Sequence, residues 1–150
     1  MVILGIVGNI ALDAVSGSEA NYRATRAAEE TVAALRYART LAMSTGNSCG
    51  VEFNTTTKTI SVYTMIGTTQ TWVTNPFTGP SGGNYQVELA SDPALLGVGM
   101  TVSMPSDTTN PYDCLYNPLG ATGNTGTVKF TYSQGQSTVT IAAVADPTHN

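Results

Sequence analysis

The sequence predicts an α+β protein in which a long N-terminal helix packs on an antiparallel β-sheet or sandwich. Three observations carry that prediction. Apolar residues recur at three- and four-residue spacing up to Gly46. Beyond Gly46 the period falls to two. The stretches between the alternating runs, such as "NPFTGPSGGN" and "PSDTTNPYDCLYNPLGATGNTG", are made of turn residues. The break divides the chain into a helical part, residues 1–46, and a β part, residues 47–150.

The chain opens on "MVILGIVGNIAL", apolar apart from Asn9 and followed by Asp13. Such a stretch spans about 18 Å as a helix, short of the roughly 30 Å of a hydrocarbon core. No Lys or Arg precedes it, as a signal peptide would require. It reads either as a buried core helix or as the tail of a membrane segment that begins upstream of Met1.

From Ser16 to about Thr45 the pattern is that of an amphipathic helix. Ser16 and Glu19 have the spacing of a capping box, and Gly46 supplies a C-terminal stop. Ala24, Ala27, Thr31, Ala34, Ala38 and Leu41 form the apolar stripe, with Val32, Leu35 and Ala42 alongside, while Arg23, Arg26, Glu30 and Arg36 point elsewhere. Because the stripe is mostly alanine, the helix can lie close against a sheet, and Ala34, Ala38, Leu41 and Ala42 are the residues expected to dock it there.

Val51 and Phe53, then Ile60 and Val62, alternate with polar residues across "NTTTK" and read as a β-hairpin. Further strands are expected at Thr69 to Val73, Tyr85 to Leu89, Met100 to Met104, Val128 to Tyr132 and Val139 to Val144. Cys49 and Cys114, an even pair in a lysine-poor chain, read most simply as one disulfide of an oxidising compartment. Closing that loop would restrict the unfolded chain by about 4 kcal/mol. Two buried reduced thiols are the alternative.

Composition narrows the function. Only 11% of residues are charged, against roughly 25% in ordinary soluble proteins, which fits an extracytoplasmic β-rich surface. The four arginines of residues 1–46 are balanced by four carboxylates, whereas the rest of the chain sets Lys58 and Lys129 against Glu52, Glu88, Asp92, Asp107, Asp113 and Asp146. That acidic part disfavours nucleic acid as a partner, since phosphate binding draws on Lys and Arg.

Catalytic constellations are missing from the sequence. The one histidine, His149, adjoins the end of the chain, so no Ser-His-Asp or Cys-His arrangement and no zinc site of the usual ligands can be drawn. Glu52 and Glu88 fall at polar strand positions and read as a solvated face rather than a glycosidase pair. Asp107, Asn110 and Asp113 could supply calcium oxygens, but their spacing matches no EF-hand and a plain turn explains them. No enzyme activity and no cofactor is expected.

The short apolar "VILGIVGNIAL" leading into a helix that ends "RYARTLAMSTG" and feeds "CGVEF" resembles the layout of a type IV pilin-like subunit. More narrowly, "AALRYARTLAMSTGNSCGVEF", with Ala38, Arg39, Ala42 and Gly46 in the expected places, is similar to the helix-to-strand joint of minor pseudopilins of type II secretion systems and related minor type IV pilins, the GspH/FimT family. The closing "LYNPLGATGNTGTVKFTYSQGQSTVTIAAV" is similar to that family's last pair of strands. The resemblance implies a non-enzymatic subunit of a type II secretion pseudopilus or type IV pilus, anchored once in the bacterial inner membrane with a periplasmic or extracellular β part.

It further implies a membrane and filament-core role for Ile3, Leu4, Ile6, Val7, Ile10 and Leu12. Other pilin or pseudopilin subunits and an inner-membrane assembly platform are its implied partners. The family's leader, its cleavage-site glycine, the residue that becomes methylated and the glutamate after it would fall before Met1, which makes the chain look truncated. Asp13 stands where many relatives have proline, and the chain lacks the basic C-terminal segment of the DNA-binding relatives. The competing expectation is a secreted β-sandwich module for a ligand such as carbohydrate, with Trp72, Phe77, Tyr85 and Tyr112 as stacking faces.

Overall fold

The computed structural model describes residues 19–76, 83–104, 112–122, 124–133 and 135–142. Among the described residues, one helix, α1 (Glu19–Thr45), is followed by eight strands: β1 (Cys49–Asn54), β2 (Thr59–Ile66), β3 (Thr69–Trp72), β4 (Gln86–Glu88), β5 (Gly99–Ser103), β6 (Asp113–Tyr116), β7 (Gly126–Tyr132) and β8 (Gly135–Ile141). All pairings are antiparallel, as expected. The larger sheet runs β3-β2-β1-β6, with β4 also paired to β2, and the smaller runs β5-β7-β8. The helix packs against strands of both sheets, chiefly β8, β1 and β7.

Local chemistry sets the boundaries. Helix α1 stops where Gly46 turns left-handed, at φ 71°, and returns its N–H to the Ala42 carbonyl at 3.0 Å. The β1–β2 hairpin closes on Asn54, whose Oδ1 accepts the N–H groups of Thr56 and Thr57 at 3.0 and 2.9 Å, a side-chain-stabilised turn of the kind Asn favours. Thr69–Trp72 and Tyr85–Leu89 are realised as β3 and β4, which share one edge of β2: Trp72 pairs with Tyr63 and Val87 with Ile60.

Two of the expected strand boundaries are revised. The stretch around Asp113–Tyr116, expected to be loop, forms β6 on the free side of β1. Its alternation is only four residues long and is flanked by proline-rich turn sequence. Strand β8 starts at Gly135, four residues before the expected Val139, because polar Gln136, Ser137 and Thr138 continue the ladder with β7. Residues 143 and 144 lie outside the described residues.

One hydrophobic core joins helix and sheets. Val51, Phe53, Ile60 and Val62 enter it from the larger sheet, Val128, Phe130 and Val139 from the smaller, and Ala24, Ala34, Leu35, Ala38 and Ala42 from the helix. Each of those alanines is fully buried. Leu41 is half-buried at the edge of the same core.

Cys49 and Cys114, expected to form a disulfide, are both free and buried. Strand register gives the reason. Cys49 pairs with Tyr116 and Cys114 with Val51, so the cysteines are diagonal neighbours on one face. Diagonal positions lie about 7–8 Å apart, beyond the roughly 4.4–6.8 Å that a disulfide spans between Cα atoms. Each thiol turns instead to a threonine hydroxyl, Cys49 to Thr64 at 3.4 Å and Cys114 to Thr122 at 3.8 Å.

Candidate functional site

The helix presents two different faces. Its buried face is the alanine stripe, completed by Thr31, whose hydroxyl is satisfied within the helix by the Ala27 carbonyl at 2.9 Å. Its outward face carries Tyr22, Arg26, Glu29, Ala33, Arg36, Thr40 and Met43, all exposed and spaced by alternate threes and fours, which keeps them on one side of the helix. Arg26 and Glu30 pair there at 2.8 Å, one turn apart.

The four arginines do not all behave as the sequence pattern suggests. Arg23, expected to point away, reaches the β part. Its Nη1 donates to the carbonyls of Leu96 and Pro93 at 2.9 and 3.3 Å, and its guanidinium sits 5.0 Å from the centroid of the Tyr132 ring. Arg39 donates from Nε to the Gly120 carbonyl at 2.9 Å. Periodicity sorts arginine with the polar face, yet a long side chain at the margin of a stripe lays its stem along apolar surface and carries its charge to a neighbouring loop.

Away from the helix, the outer face of the larger sheet is built around Gly50. Tyr63, its cross-strand partner, lies over it, donates its hydroxyl to Asp113 Oδ2 at 2.7 Å and meets Trp72 edge to face, centroids 6.2 Å apart. Burial, reinforced by the carboxylate it donates to, raises the Tyr63 phenol well above its ordinary value. Glu52 accepts the Gln70 amide at 3.1 Å.

The proposed stacking faces do not gather into a sugar platform. Tyr85 is buried and stacks on Tyr37 of the helix, with centroids 5.1 Å apart and planes 12° from parallel. Trp72 is committed to Tyr63 on the outer face. Tyr112 is exposed, and Phe77 lies outside the described residues.

A cleft of about 480 Å³ opens between the helix and β4, lined by Glu30, Asn75, Tyr85, Gln86, Val87, Glu88, Ser91 and Asp92. Its carboxylates are engaged locally: Glu88 accepts the Ser91 hydroxyl at 2.6 Å, and Asp92 caps the Ala94 N–H at 2.8 Å. No group of three or more metal-ligating side chains occurs among the described residues, and Glu52 and Glu88 sit on different strands of the larger sheet with separate partners. Asp113 belongs to β6; Asp107, Asn110 and His149 lie outside the described residues.

The six apolar residues Ile3, Leu4, Ile6, Val7, Ile10 and Leu12 also lie outside them. Among the described residues no helix is long and apolar enough to cross a membrane.

A long helix whose small-residue face is docked on two antiparallel sheets, and whose other face is exposed, is a pilin-like architecture. The family model for type II transport protein GspH matches residues 27–145, and the chain belongs to that family. The structure is similar to that of the minor pseudopilin EpsH from the type 2 secretion system of Vibrio cholerae, at 14% identity and a TM-score of 0.58, over 83% of this chain and 98% of that one. No curated protein matches the chain in sequence.

Proposed function

We propose that the chain is a minor pseudopilin that works by assembling into a type II secretion pseudopilus, with no catalytic step of its own. The observation that carries the reading is the division of labour on α1. One face is spent on the β part, and a continuous stripe from Tyr22 to Met43 remains exposed for neighbours. A contact in which one face of a subunit meets a different face of the next generates an open helical filament where the rotation between subunits does not close a ring.

In this reading Ala34, Ala38, Leu41 and Ala42 hold the helix on the sheets. The segment containing Ile3, Leu4, Ile6, Val7, Ile10 and Leu12 anchors the subunit in the inner membrane before assembly and enters the filament core afterwards. Residues 1–46 form the assembly element, and residues 47–150 form the unit displayed in the periplasm. Other pseudopilins and the inner-membrane assembly platform are the partners, and the mature N-terminus is methylated. The test is a deletion of the gene in its native host: substrates of the type II system should accumulate in the periplasm and return to the medium on complementation. Normal secretion in the deletion strain would contradict the proposal.

A further inference from the structure

We propose that Arg23 and Arg39 are positioning residues that together fix the rotation and axial register of the helix on the β part. The need for them follows from the stripe itself. Four of the buried helix positions, Ala24, Ala34, Ala38 and Ala42, present methyl groups of one size, with Val32 and Leu35 as the larger side chains among them, and apolar packing is non-directional, so directional contacts at the margins of the stripe add to the register that packing sets. Hydrogen bonds to carbonyls are directional. The two arginines stand about 24 Å apart along the helix, at about 1.5 Å per residue, one just before Ala24 and the other between Ala38 and Ala42.

What they grip makes them suited to the task. Pro93 and Leu96 lie between β4 and β5, and Gly120 lies between β6 and β7, two of the connections by which the chain passes from the larger sheet to the smaller. In each connection a left-handed glycine shapes the gripped carbonyl. Gly97 has φ +89°, and a Cβ there would come within 2.8 Å of Tyr132, the ring beneath Arg23. Gly120 has φ +78°, and a Cβ would lie 2.8 Å from Met43 Sδ and 3.0 Å from Arg39 Nε. At both points the backbone therefore approaches its neighbours at a residue where only glycine fits, and that close approach brings each carbonyl within reach of its arginine. With register fixed, the side that Tyr22, Ala33 and Arg36 present to neighbours is fixed too, a consequence that rests on the assembly reading above.

The test measures a distance between nitroxide labels introduced by Thr40→Cys and Thr101→Cys, two exposed positions, on the purified full chain. The parent chain, whose thiols are buried, serves as the labelling control. The unsubstituted background should give one narrow distance. Arg23→Ala with Arg39→Ala should add a second population of about 10% or more, and Arg23→Lys with Arg39→Lys should recover most of the single distance, because an ammonium still reaches a carbonyl. Should the double alanine variant fail to fold, the single substitutions Arg23→Ala and Arg39→Ala carry the same comparison. An unchanged narrow distance in the alanine variants overturns the proposal. So does broadening that lysine fails to reverse. The distance is read on the isolated chain, so this proposal stands or falls separately from the assembly reading.

Discussion

Substituting Gly50 with alanine should destabilise the protein, although the same change in an ordinary strand stabilises it. Glycine in a strand interior costs about 0.5–1 kcal/mol relative to alanine, so the expected sign from propensity is favourable. At Gly50 a Cβ would lie 2.6 Å from both Cζ and Oη of Tyr63 and 2.9 Å from the Cys114 carbonyl. The carbonyl belongs to the β1–β6 ladder and cannot retreat, and Tyr63 is held by Asp113 on one side and Trp72 on the other.

Overpacking costs about 1–3 kcal/mol, and displacing the tyrosine adds about 1.5–3 kcal/mol for a hydrogen bond to a charged group. After the propensity gain the net loss is about 2–5 kcal/mol, a large share of the 5–15 kcal/mol that holds a typical domain. Urea unfolding followed by fluorescence and circular dichroism measures it directly. In a Tyr63→Ala background the side-chain clash is gone and only the 2.9 Å approach to the Cys114 carbonyl remains, so Gly50→Ala should cost clearly less than in the parent and the double-mutant cycle should return a coupling of about 1 kcal/mol or more. A Gly50→Ala protein as stable as its parent, or a cost undiminished by removal of Tyr63, would show that the tyrosine contact is not what excludes a side chain at Gly50.

Three further outcomes follow from the packing and the buried groups. Ala38→Leu inserts a branched side chain where the helix meets the sheets at full burial and should cost about 1–3 kcal/mol or more, whereas Ala33→Leu on the exposed face should shift the urea midpoint hardly at all. Ser137 is 1% exposed and its Oγ has no hydrogen-bond partner among the described residues, so Ser137→Ala should leave stability unchanged or raise it by about 1 kcal/mol. Burial pushes the Cys114 thiol from its ordinary 9.0 up to about 11, and Tyr63 and Tyr116 are raised for the same reason. Between those values the unfolded chain has released a proton that the folded chain keeps, so stability holds below about pH 9 and falls as pH rises toward 11. A stability curve that rises across that window would contradict it, and a thiol titration should find both cysteines masked when folded and free on unfolding without reductant.

How much of this was legible in the sequence depended on the length of each signal. The helix ran for several turns with small residues on one side and a glycine at its end, and its stop was readable to the residue. The β1–β2 hairpin announced itself through alternation on either side of "NTTTK". Strand β6 was hidden because four residues between proline-rich turns give too few alternations to separate strand from loop, and pairing with β1 supplied what local preference did not. The disulfide expectation failed on register, which counting cysteines does not reveal: moving either partner two places along its strand would have set them opposite one another.

The missing part of the site was the pair of arginine contacts. Periodicity places Arg23 on the polar side, and only the fold shows that the polar side at that turn looks onto the Pro93–Leu96 connection. Gly97 and Gly120 were the available clue, since each marks a loop that needs a left-handed residue at a point of close approach.

In the proposed function, the outward stripe of α1 is where this subunit meets other pseudopilins. A photoreactive phenylalanine analogue placed at Ala33, in cells carrying the type II system, tests it most directly, with the same probe at Thr101 on β5 as the comparison. The expected result is a membrane-associated adduct at position 33 whose second component is identified by mass spectrometry as a pseudopilin, at a yield well above that from position 101. A subunit that stays un-crosslinked at position 33, or reacts equally from both positions, would contradict it.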